Sequence, residues 1–312
     1  MFNKFTLAQY RFTLMAREKI GLPAYKGSTF RGGFGYAFKR VVCANREAEC
    51  PDCLLKEKCV YAYVFETPPP KDTEIMRKYP AAPHPFIIEP PLDAKKEFKE
   101  GEELTFGLVL IGRAIDYLPY FIFTFEELGR IGLGKGKGKY LLKEVKDEQG
   151  KVIYSGQEKC LRECFSIINP ADFDPPSSSS LTLNFVTPTR IKYQERLTKD
   201  LQFHILMRAL LRRIFLLSYF HCDKNWKPDF SNLITASEEI KIEKRDLMWY
   251  DWERYSSRQD RRMKLGGFVG EVTYLGNLKD FLPFLLLGSY IHVGKGATFG
   301  LGKYRIARSE EL

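Results

Sequence analysis

Four cysteines, Cys43, Cys50, Cys53 and Cys59, crowd into one short segment with the spacing C-x6-C-x2-C-x5-C. The central CPDC brings two sulfurs close enough to converge on one ion. Tetrahedral structural zinc is the preferred reading, with a four-iron cluster or an unmetallated thiol group as alternatives. Four protein ligands leave no open position for water, so such a site would anchor its segment and not catalyse. Cys160 and Cys164, four residues apart, read as packed thiols, and Cys222 has no evident partner in the sequence.

Two glycine-rich loops form the second chemical signal. GLGKGKGK precedes Tyr140 and HVGKGATFGLGK precedes Tyr304, so the tripeptide GKY closes both. A nucleotide phosphate cradle fails on spacing. In GRIGLGKG the glycine–lysine step of a P-loop is present, but Gly136 stands where a magnesium-binding Ser or Thr should be. What remains is flexible backbone studded with cations. Arg130, Lys135, Lys137, Lys139, Lys143 and Lys146 surround one acid, Glu144, in the first loop region. Lys295, Lys303, Arg305 and Arg308 accompany no acid in the second. Backbone N–H groups freed by glycine can approach phosphates that lysines neutralise; solvated turns are the plain alternative. A further run, RYSSRQDRRMK, offers Arg254, Arg258 and Arg261 beside Tyr255, the residue types that bind single-stranded RNA.

The elements that must position these groups read as follows. A strand over 6–16 leads to a helix capped by Ser28 or Thr29 and ending near Val42. After the cysteine segment and a proline-rich stretch holding the short run Phe86–Ile88 come a strand at 103–115, a helix at 117–129 and a strand at 140–145. A turn at Asp147–Gly150 and the break DFDPPSSSS follow. The second half reads as strand 180–192, helix 199–221, a polar stretch, strand 267–275, helix 278–290 and strand 304–308. The predicted class is α+β, with tandem ferredoxin-like (RRM-like) domains. Their predicted bounds are 1–150, with a Cys-rich insertion at 43–65, and 180–312, joined by a hairpin and linker at 151–179.

The 312 residues carry 49 Lys plus Arg against 39 Asp plus Glu, a net charge of +10 that favours a polyanion or an anionic surface as partner. A membrane is disfavoured, because the longest apolar run, Phe281–Leu287, is far too short to span one and contains Pro283. Lys4, Arg11 and Arg17 interrupt what a secretory signal would keep apolar, so a soluble cytoplasmic protein is expected.

The ending LLLGSYIHVGKGATFGLGKYRI, with RYSSRQ and LGGFVGEVTYLG before it, resembles the carboxy-terminal signature of the CRISPR repeat-RNA processing endoribonucleases of the RAMP (repeat-associated mysterious protein) superfamily. The early YKGSTFRGGFGYAFKRV is similar to the glycine-containing first-helix motif of that superfamily. The resemblance implies tandem ferredoxin-like folds with CRISPR repeat RNA bound between and across them. It also implies cutting that needs no metal, and CRISPR effector subunits as further partners.

Such cutting needs a base for the 2′-hydroxyl, an acid for the leaving 5′-oxygen and a cation for the phosphorane. His292, at the mouth of the second loop, is the first candidate for proton transfer. His204 shares a helix face with Arg208 and Arg212, His221 suits the end of that helix, and His84 lies between prolines. Relatives place a catalytic histidine near or within the first helix, but none occurs here between Lys4 and Val42. Tyr25, Lys26 and Arg31 are the polar groups available there: tyrosine for proton transfer if its pKa is strongly perturbed, lysine for charge, arginine for RNA. A non-catalytic guide-RNA-binding subunit is the second expectation. An iron–sulfur electron carrier, resting on the cysteines alone, is the third.

Overall fold

The computed structural model describes residues 2, 4–162, 166–173, 179–226, 228–256 and 261–307, with backbone alone for 253–264. The chain forms two compact units, Lys4–Ile168 with Leu217–Lys224, and Met1–Asn3, Asn169–Leu216 and Asn225–Leu312.

In the first unit, alternation of apolar and polar residues makes β1 (Leu7–Ala16) a central strand. Helix α1 (Gly27–Val42) follows, then β2 (Phe86–Glu89), β3 (Glu103–Ile111), α2 (Leu118–Ile131) and β4 (Tyr140–Asp147). Two short strands, β5 (Val152–Ser155) and β6 (Cys160–Leu161), extend an antiparallel sheet of order β2-β3-β1-β4-β5-β6. Both helices cover one face. Phe12 and Phe106 from the sheet meet Phe30 and Phe34 from α1 and Phe121 and Phe125 from α2, with Phe34 stacked 4.8 Å from Phe121. Each such ring contributes about 1.5–3 kcal/mol by burial.

The second unit repeats the plan with β7 (Ser180–Thr189), α3 (Phe203–His221), β8 (Lys241–Tyr250), β11 (Gly267–Leu275), α4 (Leu282–Ile291) and β12 (Tyr304–Ala307), a hairpin of β9 (Glu253–Ser256) and β10 (Arg261–Lys264) intervening. The sheet order is β8-β11-β7-β12. In both sheets the strands that follow βαββαβ order lie as second, third, first, fourth, so the α+β architecture resembles a pair of ferredoxin-like domains.

The repeated GKY has a packing reason. Tyr140 is buried with its hydroxyl donating to Phe125 O (2.8 Å), and a Cβ on Gly129 would lie 3.1 Å from its ring. Tyr304 donates to Leu285 O (2.6 Å), and a Cβ on Gly288 would lie 2.1 Å from its hydroxyl. In each unit a glycine in the helix lets the first tyrosine of the last strand cross it and satisfy a helix carbonyl.

Several expected boundaries shift. Ser28 and Thr29 do not cap α1: Lys26 is the N-cap, with no side-chain cap bond, and both hydroxyls fall in the first turn. The strand expected to reach 115 ends at Ile111 because Gly112 turns at φ +55 into a 3-10 turn. Helix α2 continues past Gly129 to stop at Gly132, φ +96. The polar stretch of the second half contains β8, a strand that was not expected. Of the break DFDPPSSSS, residues 174–178 lie outside the described residues. Among the described residues, no helix is long and apolar enough to cross a membrane.

The glycines of α1 test this packing directly. A Cβ on Gly35 would lie 2.1 Å from the Phe65 ring, whereas one on Gly32 would meet nothing within 4 Å. Gly35→Ala is therefore expected to cost about 1–3 kcal/mol through overpacking. Gly32→Ala is expected to stabilise by up to about 1 kcal/mol through helix propensity. Urea denaturation of both variants checks the contrast, and equal effects would contradict it.

Candidate nucleic-acid interface

The first glycine loop is a closed, solvent-facing tip. Leu133 N–H donates to Gly138 O (2.9 Å) and Gly138 N–H to Leu133 O (3.1 Å), while Lys135 N–H binds Gly21 O (2.9 Å). A Cβ on Gly134 would lie 2.1 Å from Gly21 O, so glycine is required for this seam. Beyond it, Lys135, Gly136 and Lys137 are exposed.

Neighbouring cations are already committed. Arg130 pairs with Glu127, Lys139 with Glu18 (3.2 Å), Lys143 with Glu103 (2.6 Å) and Lys146 with Glu144 (2.7 Å). Arg31 stands 4.2 Å from the Phe65 ring centroid as a cation–π pair. Lys135 and Lys137 have no carboxylate partner among the described residues, and they are the loop cations left for phosphate.

The second loop is built differently. His292 ends α4 at φ +62, is fully buried and sets Nδ1 3.0 Å from Leu301 O. Val293 N–H donates to Gly302 O (2.9 Å), and Arg213 Nε donates to Ile291 O (2.9 Å) and His292 O (3.0 Å), satisfying carbonyls at the helix end. Burial pushes the Arg213 pKa down to about 10. Lys295 is exposed at the tip, its charge helping to hold the Glu195 carboxyl below its usual range after the larger effect of Lys192. Lys303 is half-buried, with its N–H on Thr187 Oγ1 (2.8 Å). This loop is mostly packed backbone with one projecting lysine, where the sequence predicted a flexible cationic surface.

The groups expected to move protons face inward. Burial leaves the His292 ring no exposed edge for a ribose. Lys26 is fully buried, its ammonium donating to Asp93 O (2.6 Å) and lying 3.3 Å from Asp93 Oδ1. Tyr25 is half-buried; desolvation, then the Glu89 charge, holds its phenol well above the ordinary value and so further from a base at neutral pH. Buried His221 sits between Tyr63 Oη (3.2 Å from Nδ1) and Pro83 O (2.7 Å from Nε2), beyond the capping role its position suggested. His84 bonds Thr67 Oγ1 (2.7 Å), His204 packs edge-on against Tyr193, and Arg208 pairs with Glu238.

The backbone of the basic run pairs Arg254 with Met263 and Ser256 with Arg261 as a hairpin; Arg258 lies outside the described residues.

The cysteine segment folds as a knuckle. Cys50–Asp52 make a 3-10 turn that places Cys53 N–H 3.4 Å from Cys50 O, and Cys43 Sγ donates to Asn45 O (3.2 Å). The Cys50 thiol is pushed up by burial, with further contributions from the neighbouring Cys43 and Cys59 thiols. Four half-buried thiols in one small neighbourhood suit a soft divalent ion or an iron cluster. Among the described residues, no three such groups stand in coordination geometry. The knuckle leads into a π-helical turn, Ala62–Glu66, whose Phe65 ring fills the space left by Gly35. Cys160 is exposed, Cys164 lies outside the described residues, and burial raises the Cys222 thiol to about 11.

With this geometry in place, comparison with known proteins defines the class. Residues 5–164 match the AF_1859_N family model, described as an N-terminal domain, and residues 183–304 match that of the CRISPR-associated endoribonuclease Cas6. The first match spans just over half of the chain, which therefore belongs to the AF_1859_N family, while the Cas6 match is confined to the carboxy-terminal part. An uncharacterized protein of Archaeoglobus fulgidus is 27% identical over 299 residues, covering 91% of this chain and 92% of its own. Among solved structures, a Cas6 product complex aligns with TM-score 0.60 at 17% identity, over 96% of this chain and 99% of that one. Thermus thermophilus Cas6 aligns with TM-score 0.56 at 15% identity, over 97% and 99%. A partial Cas6-RT-Cas1–Cas2 complex aligns with TM-score 0.59 at 16% identity, over 99% of this chain and 47% of that one. At these identities the structural matches establish the fold.

Proposed function

We propose that this chain cuts CRISPR precursor RNA within its repeats, by attack of a 2′-hydroxyl on the adjacent phosphate that leaves a 2′,3′-cyclic phosphate and a 5′-hydroxyl. No cofactor is required for the cut. The observation that carries the proposal is the exposed Lys135–Lys137 tip, without a carboxylate partner among the described residues, in a chain whose residues 183–304 match an endoribonuclease family model. Each unit acts as a ferredoxin-like module, working in the cytoplasm where the transcript is made. Cys43, Cys50, Cys53 and Cys59 hold a structural zinc, an iron–sulfur cluster being the alternative donor chemistry. Arg254, Arg258, Arg261 and Lys295 add further phosphate contacts.

Lysine supplies charge stabilisation to the phosphorane, while Lys26 and His292 are held inward and the half-buried Tyr25 phenol is pushed above its ordinary pKa. Positioned proton transfer is worth about 10²–10⁴-fold, so cutting is expected to be slow. Incubation with repeat RNA in EDTA, beside RNA bearing a deoxy sugar at the cut, tests the chemistry. Slow cutting of the ribose substrate alone is expected; cutting of the deoxy substrate, or a need for added magnesium, would sink the mechanism.

A second reading is a non-catalytic guide-RNA-binding subunit of a CRISPR effector complex. The burial of His292 and Lys26 and the raised pKa of half-buried Tyr25 favour it. Tight repeat binding without any product, unchanged by His292→Ala, would select it.

A further inference from the structure

Single-strand binders of this architecture commonly stack bases on rings of the central strands. Here the open face of β7 and β11 carries Thr182 bonded to Thr273 (2.8 Å) and Asn184 bonded to Glu271 (2.9 Å). In this unit the exposed rings lie instead on the edge strand β8, where Trp249 is 38% and Tyr250 41% exposed beside Met248 at 64%.

Register assigns these side chains to faces. Met248 lies opposite Val269 and Tyr250 opposite Gly267, on the open face with Lys244 and with Asp246, which faces Glu271; Trp249 lies opposite Phe268 on the other face. Met248 and Tyr250 are thus about 7 Å apart along the strand, close enough for one base to cover both. The glycine across from Tyr250 places no side chain beside its ring. The strand end is also held: the Trp249 indole N–H donates to Asp251 Oδ1 (2.8 Å), and a Cβ on Gly266 would lie 2.2 Å from that oxygen. Lys244 and, on β12, Arg305 are exposed on the same open face with no carboxylate partner among the described residues.

We infer that Met248 and Tyr250 form a stacking platform for an unpaired base of the bound RNA, with Lys244, further along the strand, and Arg305, across the sheet, taking phosphates of more distant nucleotides. The inference rests on the RNA-binding reading above. A second copy of the chain pairing along β8 is the competing occupant, and Lys241, Glu243, Lys244 and Arg245 oppose it by charging the first half of that edge.

The test uses the full chain and repeat RNA carrying 2-aminopurine at each unpaired position in turn. Wild-type protein is expected to quench one position. Tyr250→Leu keeps an apolar cover over Gly267 but removes the ring, and Tyr250→Phe keeps the ring. Tyr250→Leu is expected to abolish the quench and weaken binding about 5- to 150-fold, the equivalent of about 1–3 kcal/mol per stacked base. Tyr250→Phe should behave as wild type, and Met248→Ala, which leaves the ring in place, should give a smaller loss. Wild-type binding with neither Tyr250→Leu nor Met248→Ala having an effect overturns the platform and leaves the RNA reading standing. Failure of the wild type to bind repeat RNA overturns both. A concentration-dependent dimer that Tyr250→Leu dissolves assigns the face to a second copy and likewise overturns the platform.

Discussion

Replacing Lys135 and Lys137 together with alanine is expected to weaken repeat-RNA binding by about 25- to 60-fold at 0.1 M salt and to lower the slope of log affinity against log salt by about 1.4–1.8. The size follows from counterion release, because each lysine that neutralises one phosphate frees about 0.7–0.9 of a counterion. These two lysines have no carboxylate to leave, so binding costs them no ion pair. Lys139 and Arg130 are the internal controls. Glu18 holds Lys139 and Glu127 holds Arg130, so phosphate binding by either would only exchange one ion pair for another, and their replacement should change the slope less. Stability should stay within about 0.5 kcal/mol for the double variant, since both side chains are exposed and unpaired. Filter binding across a salt series and a urea melt measure the two quantities. An unchanged salt slope in folded protein would remove the loop from the interface.

Loss of a knuckle thiolate is the other large expected effect. Cys50→Ser should lower unfolding free energy by about 4 kcal/mol or more, the range reached when a structural metal is lost. Cys50 starts the 3-10 turn in the middle of the segment, so its replacement breaks the set at the CPDC step. The damage should spread along the chain in order. The knuckle feeds the Ala62–Glu66 turn, whose Phe65 fills the gap at Gly35 and whose Tyr61 neighbour lies against Phe38. Helix α1 would lose cover on one flank while its contacts with α2 persist. Freshly purified wild-type protein is expected to hold one equivalent of zinc by elemental analysis, or iron with visible absorbance if the cluster alternative holds. Protein that is folded, free of both metals and indifferent to Cys50→Ser would show that the thiols serve packing alone. A fall in cutting rate without a fall in stability would count against a structural role.

The first unit could be read almost completely from its residues because its signals are local. Alternation in β1 and the phenylalanines of α1 and α2 state which face is buried, and the continuous apolar run at Phe86–Ile88 states that both are. Strand β8 could not be read that way. An edge strand takes its hydrogen bonds from one neighbour and is exposed on much of its surface, so KIEKRDLMWY shows no two-residue hydrophobic period. Met248 and Tyr250 at its end carry the platform inferred above, and their signal in the sequence was three consecutive large side chains closing a charged stretch.

The histidines show the same divide. His292 next to a glycine–lysine loop has the composition of a catalytic group, yet its ring closes the loop on Leu301 O. Lys26 beside Tyr25 has the composition of a charge stabiliser, yet its ammonium turns inward to Asp93. Side-chain direction depends on partners distant in sequence, and spacing along the chain does not encode it.

From residue order alone came the βαββαβ order of the first unit and all of the second but its edge strand, the basic balance, the GKY recurrence and the clustered thiols, because periodicity, charge and covalent spacing are properties of the chain itself. Tertiary structure decided which lysines are free, since an ion pair exists only where folding brings a carboxylate within reach. It also decided which rings face solvent and which proton carriers are buried, because burial is settled by the elements that pack over a residue and not by the residue's own neighbours in sequence.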